Sequence, residues 1–141
     1  MLMRQCLSAV DGLVSMLAFA APSLRAADKP DRIVVSGASG QLGELVVKEL
    51  LRRGVDPKNL ILVSRTPDEL AAYARMGAAV RYADLYKPET LANAYVGGTR
   101  MLLISIGPGP IPRPEAHKAG FDAAVKAGVK HIVYTLSLIH I

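Results

Sequence analysis

Cysteine and tryptophan are close to absent: Cys6 is the one thiol, and there is no Trp in 141 residues. A single cysteine can neither close a disulfide nor anchor a metal cluster, so a stapled scaffold and a metal site are not expected. Aromatic side chains are also few, two Phe and five Tyr, which leaves little for nucleobases to stack on. Basic residues outnumber acidic ones, 17 to 12, for a net charge of +5, yet they form no basic block. This pattern is a solvated surface that suits an anionic small ligand, and nucleic acid is not an expected partner. No apolar run approaches the ~18 residues of a membrane-spanning helix. The most apolar early stretch, Leu13–Ala21, is half that length.

What the chain does have is a core and one glycine-punctuated turn. Apolar residues make up 51% of the sequence, enough for a single packed domain. The segment Arg32–Gly43 reads R-I-V-V-S-G-A-S-G-Q-L-G. A β-branched run stops at Gly37, Gly40 and Gly43, and Leu42, Leu45, Val46, Glu49 and Leu50 follow at helical spacing. Strand, glycine turn and helix together make a phosphate-binding βα unit. Gly37 permits the tight turn, Gly40 lets the backbone approach a pyrophosphate, and Gly43 lets helix and strand pack closely. The helix start at Gln41 and Leu42 adds free N–H groups and the positive end of the helix dipole.

The rest of the chain alternates strands and helices. Helices are expected over about 41–53, from Pro67 to near Gly77, from Lys87 to Gly97, and over 115–127. In the last, Ala119, Ala123 and Ala127 recur every four residues and should pack on the sheet. Strands are expected over 59–64, 79–82, 100–106 and 130–135. The architecture this implies is an α/β, Rossmann-like, doubly wound parallel sheet of order 3-2-1-4-5, ending after the fifth strand, which is left as an open edge.

Two further places carry chemistry in such a sheet. The end of the second strand meets the adenosine ribose, where an acid favours a free 2′-hydroxyl and an arginine a 2′-phosphate. Here it reads Ser64-Arg65-Thr66, with no carboxylate before Asp68. Arg65 is either a phosphate partner, with Ser64 or Thr66 adding a hydroxyl, or a surface charge. NADP is therefore expected over NAD. The end of the fourth strand, Ser105-Ile106-Gly107, lies where a dinucleotide crosses the switch point. His117 has no ligand-like residue at i+4 and is expected to be a structural or surface histidine.

The G-x-x-G-x-x-G spacing with Ser39 between the first two glycines resembles the extended and atypical short-chain dehydrogenase/reductases. More narrowly, it resembles the NmrA-like group, which includes NAD(P)H:quinone reductase-like proteins. The likeness runs from about Asp31 to Thr135 and includes the A-G-V-K-H-I-V-Y-T run into the fifth strand. It implies a dinucleotide cofactor and an oxidoreductase, with a non-catalytic NADP-binding regulator as the alternative. It also implies that Ala83-Asp84-Leu85 contacts the adenine, although Asp84 equally suits a turn cap. The proline-rich loop 107–114 is placed by it at the nicotinamide and substrate, or is an inert connector. No tyrosine here fits the superfamily's Tyr-x-x-x-Lys proton relay: Tyr73, Tyr82, Tyr86, Tyr95 and Tyr134 are followed at i+4 by Gly77, Tyr86, Thr90, Thr99 and Leu138. The pair is expected either in a part beyond this chain or not at all, as in atypical members. No catalytic residue and no substrate can be assigned from these residues.

The two ends read differently. Residues 1–30 resemble a secretory signal and linker, with Ala18-Phe19-Ala20 as a cleavage-like site. A periplasmic or secreted location is expected on that basis; a loose N-terminal helix and a cytoplasmic location are the alternative. Residues 136–141, L-S-L-I-H-I, are those encoded by CTGTCTCTTATACACATC, a DNA that resembles the transposon end used to build sequencing libraries. They are expected to be a non-native tail on a natural frame cut at Thr135, with a genuine strand extension as the alternative.

Overall fold

The structure, a computed structural model, describes residues 29–136. The signal-like stretch, its apolar run and residues 137–141 of the tail lie outside the described residues. Five parallel strands form one sheet: β1 (Ile33–Ser36), β2 (Leu60–Ser64), β3 (Ala79–Tyr82), β4 (Arg100–Leu103) and β5 (His131–Tyr134). Their order is β3-β2-β1-β4-β5, the doubly wound order expected. Val35 of β1 lies between Leu62 of β2 and Leu102 of β4 in the register.

The strands are apolar on both faces because both faces are covered. On one side Val35, Leu60 and Leu62 pack with Val47, Leu70 and Ala78. On the other Val34, Ile61, Val63, Met101 and Leu103 pack with Leu91, Tyr95, Ala116 and Ala124. The first layer is built on α1 (Gln41–Arg52) and α2 (Ala71–Arg75), the second on α3 (Leu91–Ala94) and α4 (Arg113–Lys126). On α1, the Lys48–Glu44 pair at 2.8 Å follows the i,i+4 spacing. Arg52 and Arg53 hold the Glu49 carboxyl down to about 2. All of these charges are exposed and add little to stability.

Several elements depart from the sequence reading, each for a packing reason. The second and third helices are short, each opened by a 3₁₀ turn, Pro67–Leu70 and Pro88–Thr90. Proline suits such a first turn because it has no N–H to satisfy. The fourth strand ends at Leu103 rather than Ile106; Ile104 N–H still donates to the Ser36 carbonyl of β1, and from Ser105 on the chain is tied to side chains. The buried stripe of α1 is Gly43 and Val47, while Leu42 and Leu45 are exposed. Half of the residues of this helix are apolar, so spacing alone does not choose the face. On α4 the fully buried positions are Ala116, His117, Gly120 and Ala124, and the expected alanine series, Ala119, Ala123 and Ala127, packs partly buried beside them. Among the described residues no helix is long and apolar enough to cross a membrane.

Candidate functional site

At the carboxyl ends of β1, β2 and β4 the chain forms a groove of about 320 Å³. Its floor is the turn after β1. Gly37 takes a φ of +88°, a conformation that disfavours side chains. In that conformation the N–H groups of Gly37 and Ala38 both reach the Val63 carbonyl, at 2.9 and 3.0 Å. The turn is thereby stitched to β2. Gly40 is the N-cap of α1 in extended backbone, with no side-chain cap. The first helical bond runs from Glu44 N–H to the Gly40 carbonyl, 2.8 Å. The N–H groups of Gln41, Leu42 and Gly43 precede it and have no intrahelical partner, which is the donor set that anions use.

Gly43 is buried against the turn. A Cβ there would fall 2.7 Å from Ala38 Cα and inside the Gly37 carbonyl oxygen. No side chain fits without separating helix from strand. The glycine thus seats the start of α1 directly on the turn.

At the β2 end, hydroxyls cluster. Ser39 Oγ lies 2.5 Å from Ser64 Oγ and 3.1 Å from Thr66 Oγ1. Thr66 N–H donates to Ser64 Oγ at 2.8 Å, and exposed Arg65 stands between those two residues at the rim. At the far end, Ser105, Ile106 and Gly107 are each pinned. Ser105 N–H donates to Thr135 Oγ1 at 2.9 Å, and Ile106 N–H donates to His117 Nε2 at 3.2 Å. The Gly107 carbonyl accepts from the Tyr86 hydroxyl. These bonds replace the strand ladder beyond Ile104.

The groove brings together Gly37, Ser39, Gly40, Arg65, Asp84, Leu85, Ser105, Ile106 and Gly107. Gln41, Leu42 and Gly43 are not on its wall; they contribute backbone donors and close packing at its end. Asp84 caps its own turn, its Oδ1 accepting from Tyr86 N–H at 2.9 Å, while still lining the groove. Sequence reasoning missed Ser36, Ile104 and Tyr86 as wall residues. Ser36 was readable as the last strand residue before the turn, and its Oγ lies 3.3 Å from the buried Tyr95 hydroxyl. Tyr86 gave no sequence signal, because its contact is with a loop 21 residues away. Among the described residues no group of His, Cys, Asp and Glu is placed to hold a metal.

His117 is buried, not on the surface. Its pKa is held below the ordinary histidine value by burial first and by the charge of Arg113 second. The unfolded chain therefore takes up this proton before the folded one does. Its contribution to stability is full above about pH 6.5 and is lost as pH falls below that. The urea midpoint should fall between about pH 7 and about pH 5, and fall less in His117→Gln. Parallel slopes for the two proteins would contradict this.

A family profile described as NAD(P)H-binding matches residues 37–139. The chain belongs to this NAD(P)H-binding family. Quinone oxidoreductase 2 of Escherichia coli (strain K12) is 37% identical over 108 residues, covering 77% of this chain and 37% of that protein. Among solved structures, the Citrobacter sp. triphenylmethane reductase complexed with NADP(H) matches with a TM-score of 0.66 at 37% identity over 74% of this chain. The NADPH-dependent quinone oxidoreductase of Escherichia coli complexed with NADPH matches with a TM-score of 0.65 at 35% identity over 72% of this chain. This chain spans 36% and 35% of those two. Within the NAD(P)H-binding family it falls with the NmrA-like, atypical short-chain dehydrogenase/reductases, as the glycine spacing indicated.

Proposed function

We propose that the groove takes NADPH in preference to NADH, and that the chain is the cofactor-binding part of an NADPH-dependent oxidoreductase with a quinone-like acceptor. The observation that carries this reading is the rim at the end of β2. There the hydroxyls of Ser39, Ser64 and Thr66 converge beside Arg65. An arginine fork with neighbouring hydroxyls suits a phosphate, whereas a free ribose hydroxyl calls for a carboxylate. The relatives support it, since the two solved structures above are described with NADP(H) and NADPH.

The bound cofactor supplies the hydride, and the protein binds and orients it. The N–H groups that open α1 would hold the pyrophosphate. The pinned Ser105–Gly107 segment would border the nicotinamide end. The chain covers 37% of quinone oxidoreductase 2, and we take most of the acceptor-binding lobe to lie in the part it does not span. The 141-residue chain should then bind NADPH without turning it over. A chimera tests this: residues 31–135 replace their counterpart in quinone oxidoreductase 2. Quinone-dependent loss of NADPH absorbance by the chimera is the expected result. A chimera that folds and binds NADPH without consuming it would instead mark a non-catalytic regulator.

We also propose that the Leu13–Ala21 stretch directs export. Expressed in a bacterium, the exported chain should begin near Ala21 or Asp28 on N-terminal sequencing. An intact Met1 in the cytoplasm would contradict it.

A further inference from the structure

Beside the cofactor groove, and sharing Ser105 with it, lies a second cavity of about 450 Å³. Its walls include Arg113, Pro114, His117, Phe121 and Tyr134. It sits past β4 on the β5 side, the direction in which a dinucleotide laid across the switch point carries its reactive ring. The Tyr134 ring is clamped edge-on between His117 and Phe121, with centroids 5.2 and 5.3 Å away.

The hydrogen bonds at His117 fix where the protons are. Ile106 N–H is an obligate donor and points at Nε2, 3.2 Å away. Nε2 must therefore be unprotonated, and in a neutral imidazole the proton then sits on Nδ1. Burial, which disfavours the charged ring, agrees with a neutral histidine. Nδ1 lies 3.0 Å from the Tyr134 hydroxyl, so Nδ1–H donates and the phenol oxygen accepts. The phenol's own proton is left over. Among the described residues it has no acceptor, and the side chain carrying it lines the cavity.

We propose that the Tyr134 hydroxyl is the hydrogen-bond donor to a carbonyl oxygen of the hydride acceptor, and that His117 is the positioning residue that turns its proton outward. The inference rests on the oxidoreductase reading above and names one contact of its acceptor. Arg113, on the same cavity wall, favours an oxygen that gains negative charge. The aromatic and proline walls favour a flat apolar body. A quinone has both properties. This donor differs from the superfamily's tyrosine–lysine pair in both its place on β5 and its partner.

Two measurements on the 141-residue chain decide it. In a long-range proton–nitrogen correlation spectrum, His117 should show Nε2 as the unprotonated nitrogen and Nδ1 as the protonated one, with His117→Gln giving the assignment. A protonated Nε2 would overturn the proposal without any variant having to fold. In the second, duroquinone and durene, the same methylated ring without carbonyls, are titrated against wild type and Tyr134→Phe, with and without NADP. Tyr134→Phe keeps both ring contacts. It should weaken duroquinone up to about tenfold, the worth of one hydrogen bond, and leave durene unchanged. Equal effects on both probes would mean a structural tyrosine and would sink the proposal. NADPH fluorescence, read in parallel samples that hold no quinone, separates the two readings. Loss of NADPH binding there removes the cofactor reading, while the duroquinone and durene comparison on the cofactor-free chain still decides Tyr134.

Discussion

Gly43→Ala should lower the melting temperature by about 12–24 °C and abolish saturable NADPH binding. The added methyl meets backbone, the Gly37 carbonyl and Ala38, and not the end of a pliable side chain. Relief requires α1 to move off β1, which breaks the fit of Val47 over Val35 and Leu62. Overpacking of this kind costs about 3 kcal/mol, and in a domain near 100 residues each kcal/mol shifts melting by about 4–8 °C. The same displacement carries the N–H groups of Gln41 and Leu42 away from the turn. Gly107→Ala is the control, because a Cβ there meets nothing within 4 Å, and its melting should match wild type. Thermal melts with NADPH titrations check both. A Gly43→Ala protein with unchanged melting would mean that the close approach of helix to turn is not needed.

Arg65→Ala should weaken NADPH by about tenfold, and NADH by less than twofold. A charge-assisted bond to phosphate is worth about 1.5–3 kcal/mol; the lower end applies to an exposed side chain, and it corresponds to about tenfold. NADH has no group for Arg65 to meet, so its affinity should hold. Competitive titrations of both cofactors on the wild type and the variant give the comparison. Equal losses would mean that Arg65 acts through the shape of the rim, and the phosphate assignment would fall.

The parts of this protein that were legible in its sequence are those fixed by local chemistry. The turn at Gly37 and the tight seat of Gly43 follow from residues next to each other in the chain; alternating apolar runs and helices gave a parallel sheet, and its order came with the dinucleotide-binding architecture that the glycine turn implies. What escaped depended on distant partners. Leu42 and Leu45 carry the right period for a packed helix, yet the layer is closed by Val47 and by Leu70 from the following turn. His117 had the spacing of a surface residue. It lies among the buried residues of α4, where its Nε2 accepts from Ile106 N–H, a partner 11 residues away. Tyr86 reached the site the same way, through Gly107, in a loop whose prolines gave no sign of what holds them. Asp84 had two readings of equal merit, and the bond from Tyr86 N–H shows the turn cap directly.

An amide proton–nitrogen spectrum of the 141-residue chain, recorded as NADP is added, reads cofactor binding at the groove residue by residue. The amides of Gly37–Gly43 and of Ser64–Thr66 should shift together, saturably, and NAD should move the second set much less. Shifts confined to other surfaces, or equal responses of Ser64–Thr66 to both cofactors, would contradict this expectation.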